Sequence, residues 1–150
     1  MTMPNPMPDP MPDPEDLTRL AALHGGDYSG TLAESMGIEF LEATAERVVA
    51  RMPVKGNTQP YGLLHGGASC ALAETIGSTG AMLHAGPGRV AVGIEINATH
   101  HRSARSGHVT GVATRLHGGR SLATYDISIT DDEGRLVCTS RLTCMLSDTP

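Results

Sequence analysis

A single carboxylate stands in the middle of an otherwise neutral run, QPYGLLHGGASCALAETIGS, which covers residues 59–78. In apolar surroundings a glutamate can attack a carbonyl carbon as a nucleophile or activate a water as a general base, so Glu74 is the first candidate for chemistry. Ser78 follows four residues later on the same face of a helix, where its hydroxyl can hold the carboxylate. This pair predicts a nucleophilic or acid–base centre.

The same run opens with a segment suited to a developing negative charge. Gln59 precedes a proline, which biases its backbone to extended conformations, so it should lie before the helix. His65, Gly66 and Gly67 stand at the transition into the helix, where glycine lets a ligand approach the backbone closely. The first N–H groups of a helix have no partner within it, so they suit a carbonyl oxygen that becomes negative during attack.

Each of these residues also has an ordinary structural interpretation that spacing alone leaves open. A helical glutamate is most often solvated, a pair of glycines most often forms a turn, and a histidine is most often structural. His100 and His101 are adjacent, so in a strand they point to opposite faces, and no HExxH motif is present. Arg102 by itself would be a solvated strand end. We therefore expect no metal site and no bound cofactor.

Periodicity predicts the elements that position these residues. Proline and acids at residues 13–16 predict a short helix as far as Leu23, and Thr31 and Glu34 have the spacing of a capping box. From Gly67 the pattern is helical to about His84. The predicted stripe of small residues on this long helix consists of Ala71, Leu72, Thr75, Ile76 and Gly80.

Five segments predict strands, one ahead of the long helix at residues 47–54 and four after it at 89–97, 108–116, 122–130 and 136–146. Their apolar rows are Val48, Ala50, Met52 and Val54; Val90, Val92, Ile94 and Ile96; Ala123, Tyr125, Ile127 and Ile129; and Leu136, Cys138, Leu142, Cys144 and Leu146. One helix cannot cover both faces of such a sheet. The sequence therefore predicts an α+β fold in which a curved antiparallel sheet of five or six strands wraps around one long central helix. The remaining sheet edge favours a dimer.

Composition argues against several classes of protein. A net charge of −5 and a pI near 5.7 provide no basic field for nucleic acid, and no apolar run reaches the length of a membrane span. Three cysteines without CxxC spacing predict neither a disulfide framework nor a zinc site and favour a reduced, cytoplasmic setting. Three tandem Met-Pro-(Asn/Asp)-Pro units predict a disordered tail at residues 1–14, ahead of one domain at 15–150.

Three stretches closely resemble the hotdog-fold acyl-CoA thioesterases. They are QPYGLLHGGASCALAETIGS at 59–78, VGIEINATHHRSARSGHVTG at 92–111 and DDEGRLVCTSRLT at 131–143. The nearest branch contains 1,4-dihydroxy-2-naphthoyl-CoA thioesterase of menaquinone biosynthesis and the enterobactin proofreading thioesterase. The resemblance implies a hotdog thioesterase domain at 15–150, which agrees with the helix and strand count. It also implies hydrolysis of acyl-CoA thioesters, above all aromatic ones of the dihydroxynaphthoyl, hydroxybenzoyl or phenylacetyl type.

The resemblance further implies roles for individual residues. Glu74 would be the catalytic nucleophile or base, held by Ser78, and the Gly66 N–H would polarise the thioester carbonyl. Gln59 and His65 would surround that carbonyl or the attacking water. The positions that would meet the acyl group or coenzyme A are Tyr61, His100, Arg102, Gly119, Arg120 and Ser121. In this family homodimers assemble into homotetramers, and Glu74 would come from the partner of the chain that supplies Gln59 and Gly66.

Departures and alternatives bear on the substrate. Relatives often carry phenylalanine where Tyr61 stands and tryptophan where Tyr125 stands, and these changes affect acyl specificity while leaving the chemistry intact. An acyl or aryl carrier protein is a second source of the thioester. A hotdog dehydratase acting on hydroxyacyl thioesters would also use a histidine and a carboxylate, and a non-catalytic dimer could bind acyl-CoA as a sensor. The combination of Glu74, Gln59 and Ser78 argues against a sensor, because binding alone needs no aligned carboxylate.

Overall fold

The computed structural model describes residues 28–149 and, ahead of them, Pro14, Glu15, Thr18, Leu20 and Ala22. These five residues are helical, in agreement with the predicted short helix, and Leu20 is buried. Apart from Pro14, the tail predicted at residues 1–14 lies outside the described residues.

Residues 28–149 form two helices and six strands. The helices are α1 (Leu32–Ser35) and α2 (Gly66–Ala85); the strands are β1 (Glu39–Ala43), β2 (Arg47–Pro53), β3 (Arg89–His100), β4 (His108–Gly118), β5 (Leu122–Asp131) and β6 (Leu136–Asp148). All neighbouring strands are antiparallel, in the order β1-β2-β4-β5-β6-β3. Because α2 packs against β2, β3, β4, β5 and β6, the sheet has to curve around it. The predicted α+β hotdog fold is confirmed.

The long helix α2 begins and ends within one residue of its predicted bounds. His65 caps its start, because its Nδ1 accepts a hydrogen bond from the Gly67 N–H at 2.8 Å. Gly86 ends it with a φ of +79°, a conformation that glycine adopts without strain. Leu72, Ile76 and Gly80 of the predicted stripe are buried, whereas Ala71 and Thr75 are only partly buried.

Two glycines of α2 let the helix lie close to the sheet. A Cβ added to Gly77 would lie 2.6 Å from a methyl carbon of Leu142, and one added to Gly80 would lie 2.6 Å from a ring carbon of Tyr125. The Tyr125 ring is fully buried, and its hydroxyl donates a hydrogen bond to the carbonyl of Ala45 at 2.6 Å. The large side chains of Leu142 and Tyr125 on the sheet therefore fill the space that the two glycines leave on the helix.

Strand burial agrees with the sequence pattern best in the middle of the sheet. The predicted inward row of β5 is fully buried at Ala123, Tyr125, Ile127 and Ile129. In β6 the predicted row is buried except at its first residue, Leu136, which is 41% exposed. Leu136 was predicted wrongly because the β5–β6 register shifts between Ile129 and Thr130, so that Val137 is buried instead.

Two outer strands differ from the expectation. β1 lies at one edge of the sheet and was not predicted, since its sequence EFLEA has no clear alternation. β3 forms the other edge, where Val92 and Ile94 are 52% and 56% exposed although the alternating pattern suggested a half-buried strand. A bulge between Gly93 and Glu95 interrupts the alternation, and no other strand among the described residues covers that edge.

None of the helices in the described part of the chain is both long and apolar enough for a membrane crossing.

Candidate active site

The start of α2 presents an unused hydrogen-bond donor. The His65 ring occupies the Gly67 N–H, and the N–H groups of Ala68 and Ser69 donate to the His65 carbonyl at 2.9 and 3.3 Å. The Gly66 N–H donates to no described residue. Since the positive end of the helix dipole lies here, this N–H is suited to a carbonyl oxygen that gains negative charge.

Gln59 reaches this helix start from a tight turn. The Gly62 N–H donates to the Gln59 carbonyl at 3.0 Å, and Gly62 has a φ of +78°. The side-chain oxygen of Gln59 accepts a hydrogen bond from the Tyr61 N–H. This leaves the amide nitrogen of Gln59 without a partner among the described residues, available as a second donor. The Tyr61 side chain is 85% exposed.

A first cleft, of about 350 Å³, brings several predicted site residues together. A Cβ added to Gly66 would lie 2.9 Å from Nε2 of His100, so the imidazole lies directly over the glycine. Arg102 borders the same cleft, and its guanidinium forms no ion pair with a described residue. The lining consists of Gln59, Leu63, Leu64, Gly66, Ser69, His100, His101, Arg102, Ser103 and Val137.

Glu74 lies outside this cleft, against the sheet. The Ser78 hydroxyl donates to Oε1 of Glu74 at 3.4 Å, a long hydrogen bond of the kind seen before substrate tightens a site. Gly93 of β3 lies beside the carboxylate, and the Cys144 thiol of β6 lies 3.9 Å from the Ser78 hydroxyl. Burial raises the pKa of the Cys144 thiol and the nearby Glu74 charge adds to this, outweighing the Ser78 hydrogen bond, so the thiol stays protonated.

A second cleft, of about 280 Å³, opens next to Glu74 and is mainly apolar. It is closed on one side by α1 and β1 and on the other by α2. The described residues that line it include no lysine, arginine or histidine, and are Tyr28, Thr31, Ala33, Phe40, Glu74, Thr75, Ser78, Thr79 and Met82. The rings of Tyr28 and Phe40 are in contact, with centroids 6.1 Å apart.

The two halves of the predicted site do not meet within one chain. Gly66 and Glu74 are eight residues apart on α2, which corresponds to about 12 Å along the helix axis. A carbonyl oxygen bound at the Gly66 N–H is therefore beyond the reach of Glu74 from the same chain. The structure brings together Gln59, Gly66 and His100 in one cleft, and Glu74 with Ser78 in the other.

The predicted coenzyme A segment, residues 119–121, lies at the opposite end of α2 from Gly66. The carbonyl of Gly119 lies 2.9 Å from Nε2 of His84, in the last turn of that helix. Arg89 donates to the Arg120 carbonyl at 2.9 Å, and the Ser121 carbonyl accepts from the Leu146 N–H at 2.8 Å. Within one chain this segment is therefore remote from Arg102 and the first cleft.

Gly93, Cys144 and the aromatic pair Tyr28 and Phe40 were not predicted from the sequence as site residues. A glycine inside the β-branched run VAVGIEI was the available signal for Gly93, since such a glycine often marks a bulge or a close approach. The contacts of the other three depend on tertiary structure. Within the described residues, no three His, Cys, Asp or Glu side chains cluster as metal ligands would.

Known proteins are similar to this chain in both sequence and fold. The Thioesterase superfamily matches residues 61–138. The proofreading thioesterase EntH of Cronobacter turicensis is 50% identical over 114 residues, which are 75% of this chain and 83% of that protein. The crystal structure of a thioesterase from Haemophilus influenzae is similar with a TM-score of 0.79 at 38% identity, over 93% of this chain and 94% of that one.

A thioesterase of Staphylococcus aureus was solved in two mutant forms. One replaces a glutamate by alanine, with a TM-score of 0.76 over 79% of this chain and 99% of that one. The other replaces a glutamine by alanine, with a TM-score of 0.75 over 77% of this chain and 98% of that one. Both are 36% identical to this chain, and the two mutated positions are fifteen residues apart, as are Gln59 and Glu74 here.

Proposed function

Because the chain belongs to the thioesterase superfamily and is a thioester hydrolase, we propose that it cleaves aromatic acyl-CoA thioesters at a site built from two subunits. One observation carries this proposal. The donors at Gly66 and Gln59 and the carboxylate of Glu74 occupy different clefts, about 12 Å apart along α2. Each cleft is incomplete by itself, and each supplies what the other lacks.

The arrangement fits a defined sequence of bond changes. The thioester carbonyl oxygen accepts a hydrogen bond from the Gly66 N–H, assisted by the Gln59 amide, which makes its carbon more electrophilic. As a base, Glu74 takes a proton from water, the hydroxide adds to the carbon, and the C–S bond breaks. The coenzyme A thiolate then takes the proton back. As a nucleophile, Glu74 adds directly to the carbon, the C–S bond breaks and coenzyme A leaves as a thiolate. Water then hydrolyses the resulting anhydride, which releases the acid and the Glu74 carboxylate, and the thiolate takes the proton that the water gives up. Both routes need the same residues.

A two-fold pairing of the uncovered β3 edges would unite the two half-sites. In a symmetric antiparallel pair the residue on the two-fold axis faces its own copy, and the facing residue numbers keep a constant sum until a bulge adds one residue. With the axis at Asn97, Thr99 of one chain would face Glu95 of the other, and the bulge between Gly93 and Glu95 would then bring Gly93 beside His100. His100 lies over Gly66, and Gly93 lies beside Glu74, so this register brings Glu74 of one chain to Gly66 of the other. The exposed apolar residues of β3 support such a pairing.

The cleft beside Glu74 is suited to bind a compact, uncharged and aromatic acyl group. Its lining offers Tyr28 and Phe40 for ring contacts and Met82 as an adaptable apolar contact. Because no lysine, arginine or histidine is among the described residues that border it, a second carboxylate on the acyl group would be buried without a counter-charge from them. 1,4-Dihydroxy-2-naphthoyl-CoA, which the resemblance indicates, belongs to this class.

Arg102 supports coenzyme A as the carrier, because its guanidinium lies at the rim of the first cleft without an ion pair to any described residue and can bind a phosphate through two parallel hydrogen bonds. The mutated glutamine and glutamate of the Staphylococcus aureus thioesterase have the spacing of Gln59 and Glu74, which supports these two as functional residues. Assembly into a homotetramer, a cytoplasmic location, a role in menaquinone biosynthesis and an alternative carrier protein stay predictions.

The proposal is tested by a panel of acyl-CoA substrates, with the released thiol followed by a colorimetric reagent. We expect dihydroxynaphthoyl-, hydroxybenzoyl- and phenylacetyl-CoA to be cleaved with higher kcat/KM than palmitoyl-CoA or succinyl-CoA. Glu74→Ala should remove nearly all turnover, whereas the matched control Glu46→Gln, at a site 69% exposed, should not. A Glu74→Ala enzyme within about tenfold of wild type, roughly 1.4 kcal/mol of barrier, would show that the carboxylate is the wrong residue.

A further inference from the structure

Two residues that are paired between the neighbouring strands β3 and β6 both lie next to the Glu74–Ser78 pair. Gly93 and Cys144 are direct Cα partners in the antiparallel register of these strands. Gly93 borders the Glu74 carboxylate, and the Cys144 thiol lies 3.9 Å from the Ser78 hydroxyl. A single cross-strand pair therefore lies beneath both members of the candidate catalytic pair.

Gly93 is required for space and not for backbone conformation. Its φ lies outside the left-handed region, so an alanine could adopt the same backbone. A Cβ added there would lie 3.1 Å from the carboxyl carbon of Glu74 and would overlap its Oε1 atom. The bulge that follows, between Gly93 and Glu95, locally redirects the strand at this position. The missing side chain thus leaves the space that the carboxylate occupies.

The direction of the hydrogen bond between Cys144 and Ser78 follows from the protons that each group can donate. An ionised Glu74 only accepts hydrogen bonds, so the single hydroxyl proton of Ser78 is directed to Oε1. The Ser78 oxygen can then only accept from the Cys144 thiol. Burial keeps that thiol protonated and able to donate. Cys144 therefore orients Ser78, and Ser78 orients the carboxylate.

We propose that Gly93 and Cys144 are positioning residues that hold Glu74 in its reactive orientation, Gly93 by leaving room and Cys144 by orienting Ser78. Neither touches the thioester, and both act through Glu74. This inference rests on the proposed function insofar as Glu74 is the reacting group. Its steric part, that Glu74 occupies space which only glycine leaves, is independent of any activity.

The first test separates positioning from binding by steady-state kinetics on the best substrate of the panel. Gly93→Ala should lower kcat by about 100-fold, the effect expected of a displacement near 1 Å, while KM stays close to wild type. Cys144→Ala should lower kcat about fivefold through the loss of one weak hydrogen bond, and Cys144→Ser, which restores a donor, should recover most of it. The matched control is Cys138→Ala, since Cys138 is equally buried on the same strand and its thiol donates to a backbone carbonyl.

Equal losses in Cys144→Ala and Cys138→Ala, or no recovery in Cys144→Ser, would overturn the role of Cys144. An unchanged kcat, or a rise in KM without a fall in kcat, would overturn the role of Gly93. If both roles are overturned, Gly93 and Cys144 contribute to the stability of the sheet and do not position the Glu74 carboxylate.

The second test needs no activity and uses urea unfolding in two backgrounds. Gly93→Ala should lower the unfolding midpoint in the wild-type background and leave it unchanged when Glu74→Ala has removed the carboxylate. An equal loss in both backgrounds would refute the steric part. If Gly93→Ala alone does not fold while the double variant does, the coupling is also demonstrated. If Glu74→Ala retains activity, the proposed function fails, and this cycle still decides whether Gly93 accommodates Glu74.

Discussion

The distance between the two half-sites leads to a quantitative prediction for mixed dimers. Gln59→Ala removes a donor from one cleft and Glu74→Ala removes the carboxylate from the other, so each homodimer carries two defective pockets. In a mixed dimer one pocket combines both defects, and the other combines an intact Gln59 half with an intact Glu74 half. Two individually inactive proteins should therefore regain activity when their subunits exchange.

The expected recovery follows from random pairing. Equal amounts of the two variants give half of the dimers as mixed, and each mixed dimer has one good pocket of two. About a quarter of the wild-type turnover should therefore return at the same subunit concentration. The rate of thiol release is measured after exchange has reached equilibrium, as shown by native mass spectrometry of subunits with different tags.

The matched control mixes Glu74→Ala with Glu74→Gln, because both defects then lie in the same half and every pocket lacks the carboxylate. This mixture should stay inactive after full exchange. The shared site would be refuted if exchange is complete and the Gln59→Ala with Glu74→Ala mixture is no more active than the average of its two components. Gly66 and Glu74 of one chain would then have to approach each other through a change in α2.

Three further predictions concern stability. Tyr125→Phe leaves the Ala45 carbonyl without its buried donor and should lower the free energy of unfolding by about 1–2 kcal/mol in urea titrations. Burial alone would raise the pKa of Asp131, but hydrogen bonds from Arg135 and from the Glu133 N–H lower it. A carboxyl group with a lowered folded pKa stabilises the fold above its unfolded pKa of about 3.9 and loses that contribution as the pH falls through the folded value. Asp131→Asn should therefore destabilise the protein at pH 7 and progressively less below about pH 4, as unfolding midpoints across pH would show. Deleting residues 1–12 should change neither the melting temperature nor turnover, because Met-Pro repeats cannot form a packed core; a clear loss of either would contradict this.

Local pattern predicted those elements whose environment is uniform. β5 lies between two other strands and under α2, so every second residue is buried and the alternation of Ala123, Tyr125, Ile127 and Ile129 is uninterrupted. α2 was predicted because the helical spacing of its apolar residues begins and ends beside glycines, so that both signals give the same helix bounds. β1 was missed and β3 was misjudged because both are edge strands, where burial on one side does not impose a strict alternation on the sequence.

Residue type and helix spacing identified Glu74, Ser78 and Gly66 as candidates and also determined that Glu74 and Gly66 lie far apart on one helix. The contacts of the carboxylate with the sheet could not be obtained this way. Gly93 and Cys144 are distant from Glu74 in sequence, and they meet it only because the β3–β6 register places them side by side under α2. Because β4 and β5 separate β3 from β6 along the chain, no turn joins these two strands, and no turn geometry could predict their register.

The close fit between Gly80 and Tyr125 couples the evolution of two positions that are far apart in sequence. Any side chain larger than hydrogen at position 80 needs the volume that the ring at position 125 now fills. A descendant that acquired alanine at position 80 would need a smaller residue at position 125, and would then lose the donor to Ala45. A tryptophan at position 125 would instead keep a donor while enlarging the ring, and would tolerate only glycine at position 80. We therefore expect the residues at positions 80 and 125 to change together in related sequences, a larger residue at one position being matched by a smaller one at the other.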